Sequence, residues 1–358
     1  MENTLLIIGN GFDLACGLKS KYIDFYNECI KGKAKGFWQE LLVFYEKQHS
    51  KENPNWCDVE KIIEGTLQDI FVSRFQNLYR EAHNMFRHGF YLPKNYDKNP
   101  INNYIIRYCV DIIYEILKKG ITDEKRHLMI LNKYLLTELK DLESQFCEYL
   151  NKQLNSTNHA YYTNTIKLFN YIVYNHNMGR VSILNFNYTN PNLSYYTNVH
   201  GQLCKEKCKL CKQSNIIFGI DDNAVKNSKC DELRLFSKTY RTLQMADEKV
   251  KILPSKEQPL VIKFFGHSLS EADYSYFQSI FDYYNIYENS DVSLKFCYLD
   301  YDVKNPNKVK NDTLDAVYKL INSYGATLHN KDQGKNLMHK LFLENRIRIK
   351  EIDFKAIK

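Results

Sequence analysis

Thr4-Leu-Leu-Ile-Ile-Gly-Asn-Gly-Phe-Asp13 is the stretch that decides the fold class. Four apolar residues make a short buried strand, Gly9-Asn10-Gly11 break it, and the run from Phe12 to Leu18 is compatible with a helix. A strand that ends in a glycine turn and feeds a helix gathers backbone N–H groups and a helix N-terminus at one point. An anionic phosphate is most easily held there. Glycine at 9 and 11 would allow positive φ and a close approach to the backbone. Gly-x-Gly lacks the third glycine of the dinucleotide fingerprint, so an ordinary tight strand–helix turn stands as the alternative.

Outward from this stretch the chain divides by period. Ser20 can cap a helix running through Ile30. Asn53-Pro-Asn-Trp-Cys-Asp58 launches another, with Val59, Ile62, Ile63, Leu67, Ile70 and Phe71 on one face. Further helices are predicted over Tyr104 to Lys118, from Thr122-Asp123 to Leu150, and from Tyr161 to about Tyr174. From Gly179 onward the apolar runs are short, β-branched or aromatic. Val181 to Phe186, Ile216 to Ile220, Leu260 to Phe265 and Leu294 to Leu299 predict buried strands, with helices over Asp273 to Tyr284 and Thr313 to Asn322. Strands alternating with helices predict a parallel sheet covered on both faces. The expected organisation is an α/β domain of residues 1–30 and 178–358, interrupted after its first βα unit by a large helical insertion over 31–177.

At 358 residues the chain can bury one large core or two. Hydrophobic residues make up 44% and charged residues 25%, and the abundance of Tyr and Phe argues against general disorder. The net charge of +7 is spread through short lysine runs such as Lys31-Gly-Lys-Ala-Lys35, so a solvated surface accounts for it and a nucleic-acid partner is not demanded. Met1-Glu-Asn3 has no basic region of the signal-peptide kind, and no apolar run approaches the roughly 18–20 residues that span a bilayer. The expectation is a cytoplasmic protein off the membrane, whose cysteines are free or metal-bound rather than disulfide-paired.

Ligands of open α/β sheets bind at the carboxyl ends of the strands. Those ends carry Gly9-Asn10-Gly11-Phe12-Asp13, Asn185-Phe-Asn187-Tyr-Thr189, Gly219-Ile220-Asp221, Gly266-His267-Ser268-Leu269 and Leu299-Asp300, with Val199-His200-Gly201 close behind the second. Glycines would let a ligand approach the backbone, and His200 and His267 suit proton transfer near neutral pH. Each residue also has a plainer reading. Asn187 can close an Asx turn, His200 can be a turn residue, His267 and Ser268 can cap a helix, and Asp300 can be an exposed strand-end carboxylate instead of a ribose ligand.

In chain order, Gly9-Asn-Gly-Phe-Asp13, Trp56-x-Asp58-x-Glu60, Asn185-Phe-Asn-Tyr-Thr189, Val199-His-Gly201, Phe218-Gly-Ile-Asp221 and Gly266-His-Ser-Leu-x-x-x-Asp273 resemble the AbiH family of bacteriophage abortive-infection proteins. The resemblance covers nearly the whole chain. The same skeleton is distantly similar to sirtuin-like NAD-binding domains, which implies a Rossmann-like sheet. On that likeness Gly9, Asn10, Gly11 and Phe12 would surround the cofactor phosphates and nicotinamide ribose. Gly201, Gly219, Gly266, His267, Ser268 and Asp300 would border the cofactor. Asn187 would position the attacking water, His200 would act as general base, and Asp13 would stabilise positive charge or bind the ribose. Thr189 stands where a sirtuin-like aspartate is expected, and the helical insertion replaces the usual small module.

Cys204-x₃-Cys208-x₂-Cys211, with Cys230 as a fourth ligand, has spacing that can hold zinc. A lysine-rich surface loop is the alternative. The function expected from the whole is an anti-phage effector that binds NAD and hydrolyses it as an NAD glycohydrolase once infection triggers it. A non-catalytic nucleotide-binding sensor is the second expectation. A nucleotide is the expected small-molecule partner, with a phage-derived trigger and a homo-oligomer also allowed.

Overall fold

Leu5, Leu6, Ile7 and Ile8 are all inaccessible to solvent. Side chains alternate across a strand, so Leu5 and Ile7 enter one core while Leu6 and Ile8 enter another. A strand apolar on both faces belongs in the middle of a covered parallel sheet. A computed structural model places it there and describes residues 2–50, 57–174, 178–194, 196–203, 215–228, 230–245, 253–302, 304–305 and 307–353. The sheet comprises β1 (Glu2–Ile8), β2 (Met178–Asn185), β3 (Tyr196–Asn198), β4 (Leu260–Phe265), β5 (Val292–Tyr298) and β6 (Ile347–Glu351). All pairings are parallel and the order is β3-β2-β1-β4-β5-β6, which reverses direction between β1 and β4.

On one face Ile262 and Phe264 join Leu5 and Ile7 beneath helices Tyr274–Tyr284, Lys308–Gly325 and Lys331–Leu343, through residues such as Phe277, Phe281, Ile321 and Leu337. On the other, Leu6, Ile8, Ile183 and Phe265 meet Phe12 of the short Asn10–Ala15 helix and Tyr161, Leu168 and Ile172 of the Ala160–Val173 helix. Lys263, in the midst of β4, is 6% exposed. Its ammonium donates to the carbonyls of Ile172 (3.0 Å) and Val173 (3.3 Å), the last turn of that helix. A cation is favoured at a helix C-terminus, and it satisfies carbonyls the helix leaves open. Burial, then the neighbouring Lys295, lowers the pKa of Lys263 from its usual value.

The chain divides into two compact units: Met1–Ser20, Leu150–Glu206 and Ala246–Lys358 make the sheet unit, and Lys21–Tyr149 with Lys207–Met245 make a helical one. The helical unit therefore takes the chain a second time, over Lys207–Met245, whereas the Ala160–Val173 helix packs on the sheet. Within the helical unit Asp58 caps the Val59–Gln68 helix by accepting from the Lys61 N–H, and Asn99 caps Pro100–Lys118, which has Pro100 in its first turn. Two buried ion pairs cross it. Lys238 meets Glu60 at 2.8 Å, and Arg241 grips Glu143 bidentately at 2.6 and 2.7 Å.

Ile216 to Ile220 is not a strand of the sheet. It belongs to the helical unit, with one isolated bridge between Ile220 and Ser237. Side chains satisfy its backbone: the Phe218 N–H donates to Glu143 Oε1 (2.7 Å), and the Phe218 carbonyl accepts from Arg241 Nη1 (3.0 Å). A short buried apolar run looks alike in sequence whichever partners it has. Sequence patterning also passed over β3, only three residues long, and β6, whose residues are half-buried or exposed. Helices Phe37–His49, Phe75–His88 and Lys331–Leu343 were likewise not predicted. Among the described residues no helix is long and apolar enough to cross a membrane.

Candidate functional site

The glycine turn after β1 is packed against the turn after β4. The Gly9 N–H donates to Phe265 O (3.1 Å), the Gly11 N–H to Gly266 O (2.7 Å), and the Phe12 N–H back to Gly9 O (2.8 Å). A Cβ on Gly9 would lie 2.6 Å from the Cα of His267, and one on Gly11 2.6 Å from the Cα of Gly266. The close approach that calls for glycine is thus made by the protein's own backbone. Gly9 is extended, with φ −124°, not positive as anticipated; the left-handed residue is Gly266, at φ +67°. Asn10 is exposed, and its Oδ1 accepts from the Ser20 hydroxyl.

Behind this turn Asp13 is 2% exposed. Its carboxylate accepts from the Tyr161 hydroxyl (2.7 Å) and the Thr189 hydroxyl (2.8 Å). Burial raises its pKa from the ordinary 3.8 to about 6, with both hydroxyls pulling the other way. The contact gives a physical reason for threonine at 189. An aspartate there would set a second carboxylate against the first, in a buried position where like charges repel strongly. Tyr161 was not anticipated as a site residue; its period marked it only as helical.

Asn187 braces the loop after β2. Its Nδ2 donates to Gly9 O (3.0 Å), its N–H to Asn185 Oδ1 (3.0 Å), and its carbonyl accepts from Asn198 Nδ2 (3.0 Å). Asn185 Nδ2 and Asn198 Nδ2 also reach Thr189 O, at 2.9 and 3.2 Å. Three asparagine side chains therefore fix the Asn185–Thr189 loop to the end of β1.

The same edge holds two histidines on one carboxylate. His200 Nε2 lies 2.9 Å from Asp273 Oδ1, and His267 Nε2 lies 3.3 Å from Asp273 Oδ2. The Leu269 N–H donates to His267 Nδ1 at 2.9 Å, so that nitrogen holds the lone pair and Nε2 carries the proton toward Asp273. In His200, Nε2–H donating to the carboxylate leaves the lone pair on Nδ1. Phe186 packs edge-on against both imidazoles, at 5.3 and 4.6 Å between centroids, and Tyr276 stands against His200. Asp273 itself precedes the Tyr274–Tyr284 helix and is 7% exposed. Sequence places it at a helix start and in the family motif, without a role in the site. The signal that could have singled it out is the Gly266-His-Ser-Leu-x-x-x-Asp273 spacing, which returns a carboxylate to the histidine that opens the loop.

The remaining expected residues are dispersed. Gly201, at φ +82°, follows His200, and Ser268 is exposed beside His267. Asp300, just beyond β5, closes a turn by accepting from the Asp302 N–H at 3.2 Å. Gly219 is not at the sheet edge. It belongs to the helical unit, and a Cβ there would lie 2.6 Å from Phe236 O. Cys204, Cys208 and Cys211 lie outside the described residues. Cys230 is described: its thiol donates to Glu232 Oε2 (3.3 Å), and burial, reinforced by that carboxylate, keeps its pKa above the usual value. Among the described residues no group of three or more His, Cys, Asp or Glu is arranged to hold a metal.

A family model for bacteriophage abortive infection AbiH proteins matches residues 5–296, a span that includes the turns after β1, β2 and β4 together with His200 and Asp273. The chain belongs to the AbiH family. Searches of curated proteins and of solved structures return no match. Membership gives this AbiH protein a role in phage abortive infection. Of its motif residues, Asn187, His200, His267 and Asp273 lie in the sheet unit, whereas Glu60 and Phe218 are held by Lys238, Arg241 and Glu143 in the helical one.

Proposed function

We propose that this AbiH protein carries out abortive infection by binding NAD⁺ at the carboxyl edge of its sheet and cleaving the bond between nicotinamide and ribose. The observation that carries the reading is the pair His200 and His267 on one buried carboxylate, Asp273, at the edge where the order of the parallel strands reverses. Water attacks the ribose carbon as the carbon–nitrogen bond breaks, and nicotinamide departs with the bonding electrons. The proton lost by water passes to His200 Nδ1, while Asp273 orients the ring and stabilises its charged form. Asn187 holds the turn against which the ribose lies. Asp13 is reassigned here from direct contact to positioning, because its carboxylate is committed to Tyr161 and Thr189.

His200 is 3% exposed. A base so enclosed suits an effector that stays silent until a phage-derived trigger opens the site. The test is purified wild type and His200→Ala incubated with NAD⁺ while nicotinamide release is followed, alongside NAD⁺ levels in infected cells. Release by wild type alone supports the reading. Absence of NAD⁺ binding by calorimetry, together with equal NAD⁺ loss in infected cells carrying either protein, overturns it. The second reading, a nucleotide sensor that breaks no bond, is favoured by Thr189, which stands where a sirtuin-like aspartate is expected and is bonded to Asp13. It predicts bound nucleotide without turnover.

A further inference from the structure

A cleft of about 400 Å³ opens on the sheet unit among loops that adjoin the site, and nothing in the preceding chemistry uses it. Its volume falls in the range of roughly 300–1,000 Å³ that small-molecule sites occupy. Three of the lining residues lie close in sequence to residues already discussed, while Asn151 and Leu154 come from the end of the Glu124–Ser156 helix. Tyr162 follows the Tyr161 that bonds Asp13, and Asn190 follows Thr189. Leu203 comes shortly after His200, and its N–H donates to Tyr188 O at 2.7 Å.

The lining is chemically selective. Among the described residues that form it there is no Lys, Arg, Asp or Glu. Its polar lining is the side-chain amides of Asn151, Asn190 and Asn192, with the Asn190 Oδ1 accepting from the Asn192 N–H at 2.8 Å. The rings of Tyr162 and His159, 6.4 Å apart between centroids, supply flat faces, with Leu154 opposite in character. His159 and Asn192 both have left-handed backbones, at φ +67° and +55°. Such conformations are uncommon outside glycine and gather at ligand sites. A neutral planar ring with a hydrogen-bonding edge fits these surfaces.

We propose that this cleft is a nucleobase subsite, with adenine as its occupant and Tyr162 as the stacking platform. The proposal rests on the reading of a nucleotide at the sheet edge, whose phosphates and second ribose would then lie outside the cleft. Two probes separate the parts: adenosine, which has the base without phosphate, and ribose 5-phosphate, which has the reverse. Calorimetry should show Tyr162→Ala weakening adenosine about tenfold or more, as loss of a stacked aromatic does, with Tyr162→Phe close to wild type and ribose 5-phosphate unaffected. Photolabelling by 8-azidoadenosine should mark the peptides that carry Tyr162 or Asn190 to Leu203. Adenosine binding that is indifferent to Tyr162→Ala, or label placed elsewhere, overturns the subsite. NAD⁺ cleavage that persists beside that indifference leaves the glycohydrolase standing alone. Tyr162-dependent adenosine binding without cleavage sinks the glycohydrolase and keeps the subsite, and no binding of either probe or of NAD⁺ refutes both.

Discussion

Asparagine in place of Asp13 changes one charge and almost no volume, at a position where charge is costly. The carboxyl is 2% exposed and receives two hydroxyl hydrogen bonds, yet burial still raises its pKa from 3.8 to about 6. The folded protein therefore binds a proton at Asp13 more tightly than the unfolded chain does. Stability from this group is fully present below 3.8 and is lost as pH rises to about 6. At about 1.4 kcal/mol per pH unit, the interval amounts to ~3 kcal/mol by neutral pH. Asparagine keeps an acceptor for one hydroxyl and turns an NH₂ to the oxygen of the other, without the titration. Urea unfolding followed by circular dichroism at about pH 4 and about pH 7.5 measures the difference between Asp13→Asn and wild type. The variant should gain ~3 kcal/mol relative to wild type over that interval. A difference that stays flat with pH would show that the carboxyl is ionised in the fold without penalty, and the argument from burial would fail.

Two further substitutions probe the frame. Arg241→Ala leaves Glu143 buried without its bidentate partner and frees the Phe218 carbonyl, so thermal unfolding should show a loss of about 3–5 kcal/mol; a loss below ~1 kcal/mol would mean water or a neighbour replaces the guanidinium. Gly11→Ala drives a methyl to within 2.6 Å of the Gly266 Cα, and should destabilise by about 1–3 kcal/mol as the two turns are pushed apart. An unchanged melting temperature would contradict the tight packing of those turns.

Sequence read best where burial imposes a period. Leu5 to Ile8 is apolar on both faces because helices cover both sides, Leu260 to Phe265 and Leu294 to Leu299 are so apart from one lysine each, Lys263 and Lys295, and that pattern survives in one dimension. It failed at Ile216 to Ile220, where an equally apolar run has its backbone satisfied by Glu143 and Arg241. Of the site, His200, His267, Asn187 and Asp13 were legible as polar residues at strand ends. Their partners were not. Tyr161 reaches Asp13 from a helix that carries no polar motif, and Asp273 was legible as a helix start and a motif residue but not as the shared partner of two histidines. The glycines were identified correctly as places of close approach, but what approaches Gly9 and Gly11 is the Gly266–His267 backbone, a neighbour no local pattern announces.

The place of β1 has a consequence for how the protein is made. It comes before the other five strands of its sheet in the chain and lies in the middle of the finished sheet, flanked by β2 and β4. Neither neighbour exists until Met178–Asn185 and then Leu260–Phe265 have been synthesised. Leu5-Leu-Ile-Ile8 must therefore wait, with both edges unpaired and both faces uncovered, while the helical segments that follow have their local partners at hand. Its apolar, uncharged stretch is the kind that chaperones bind and that associates between nascent chains.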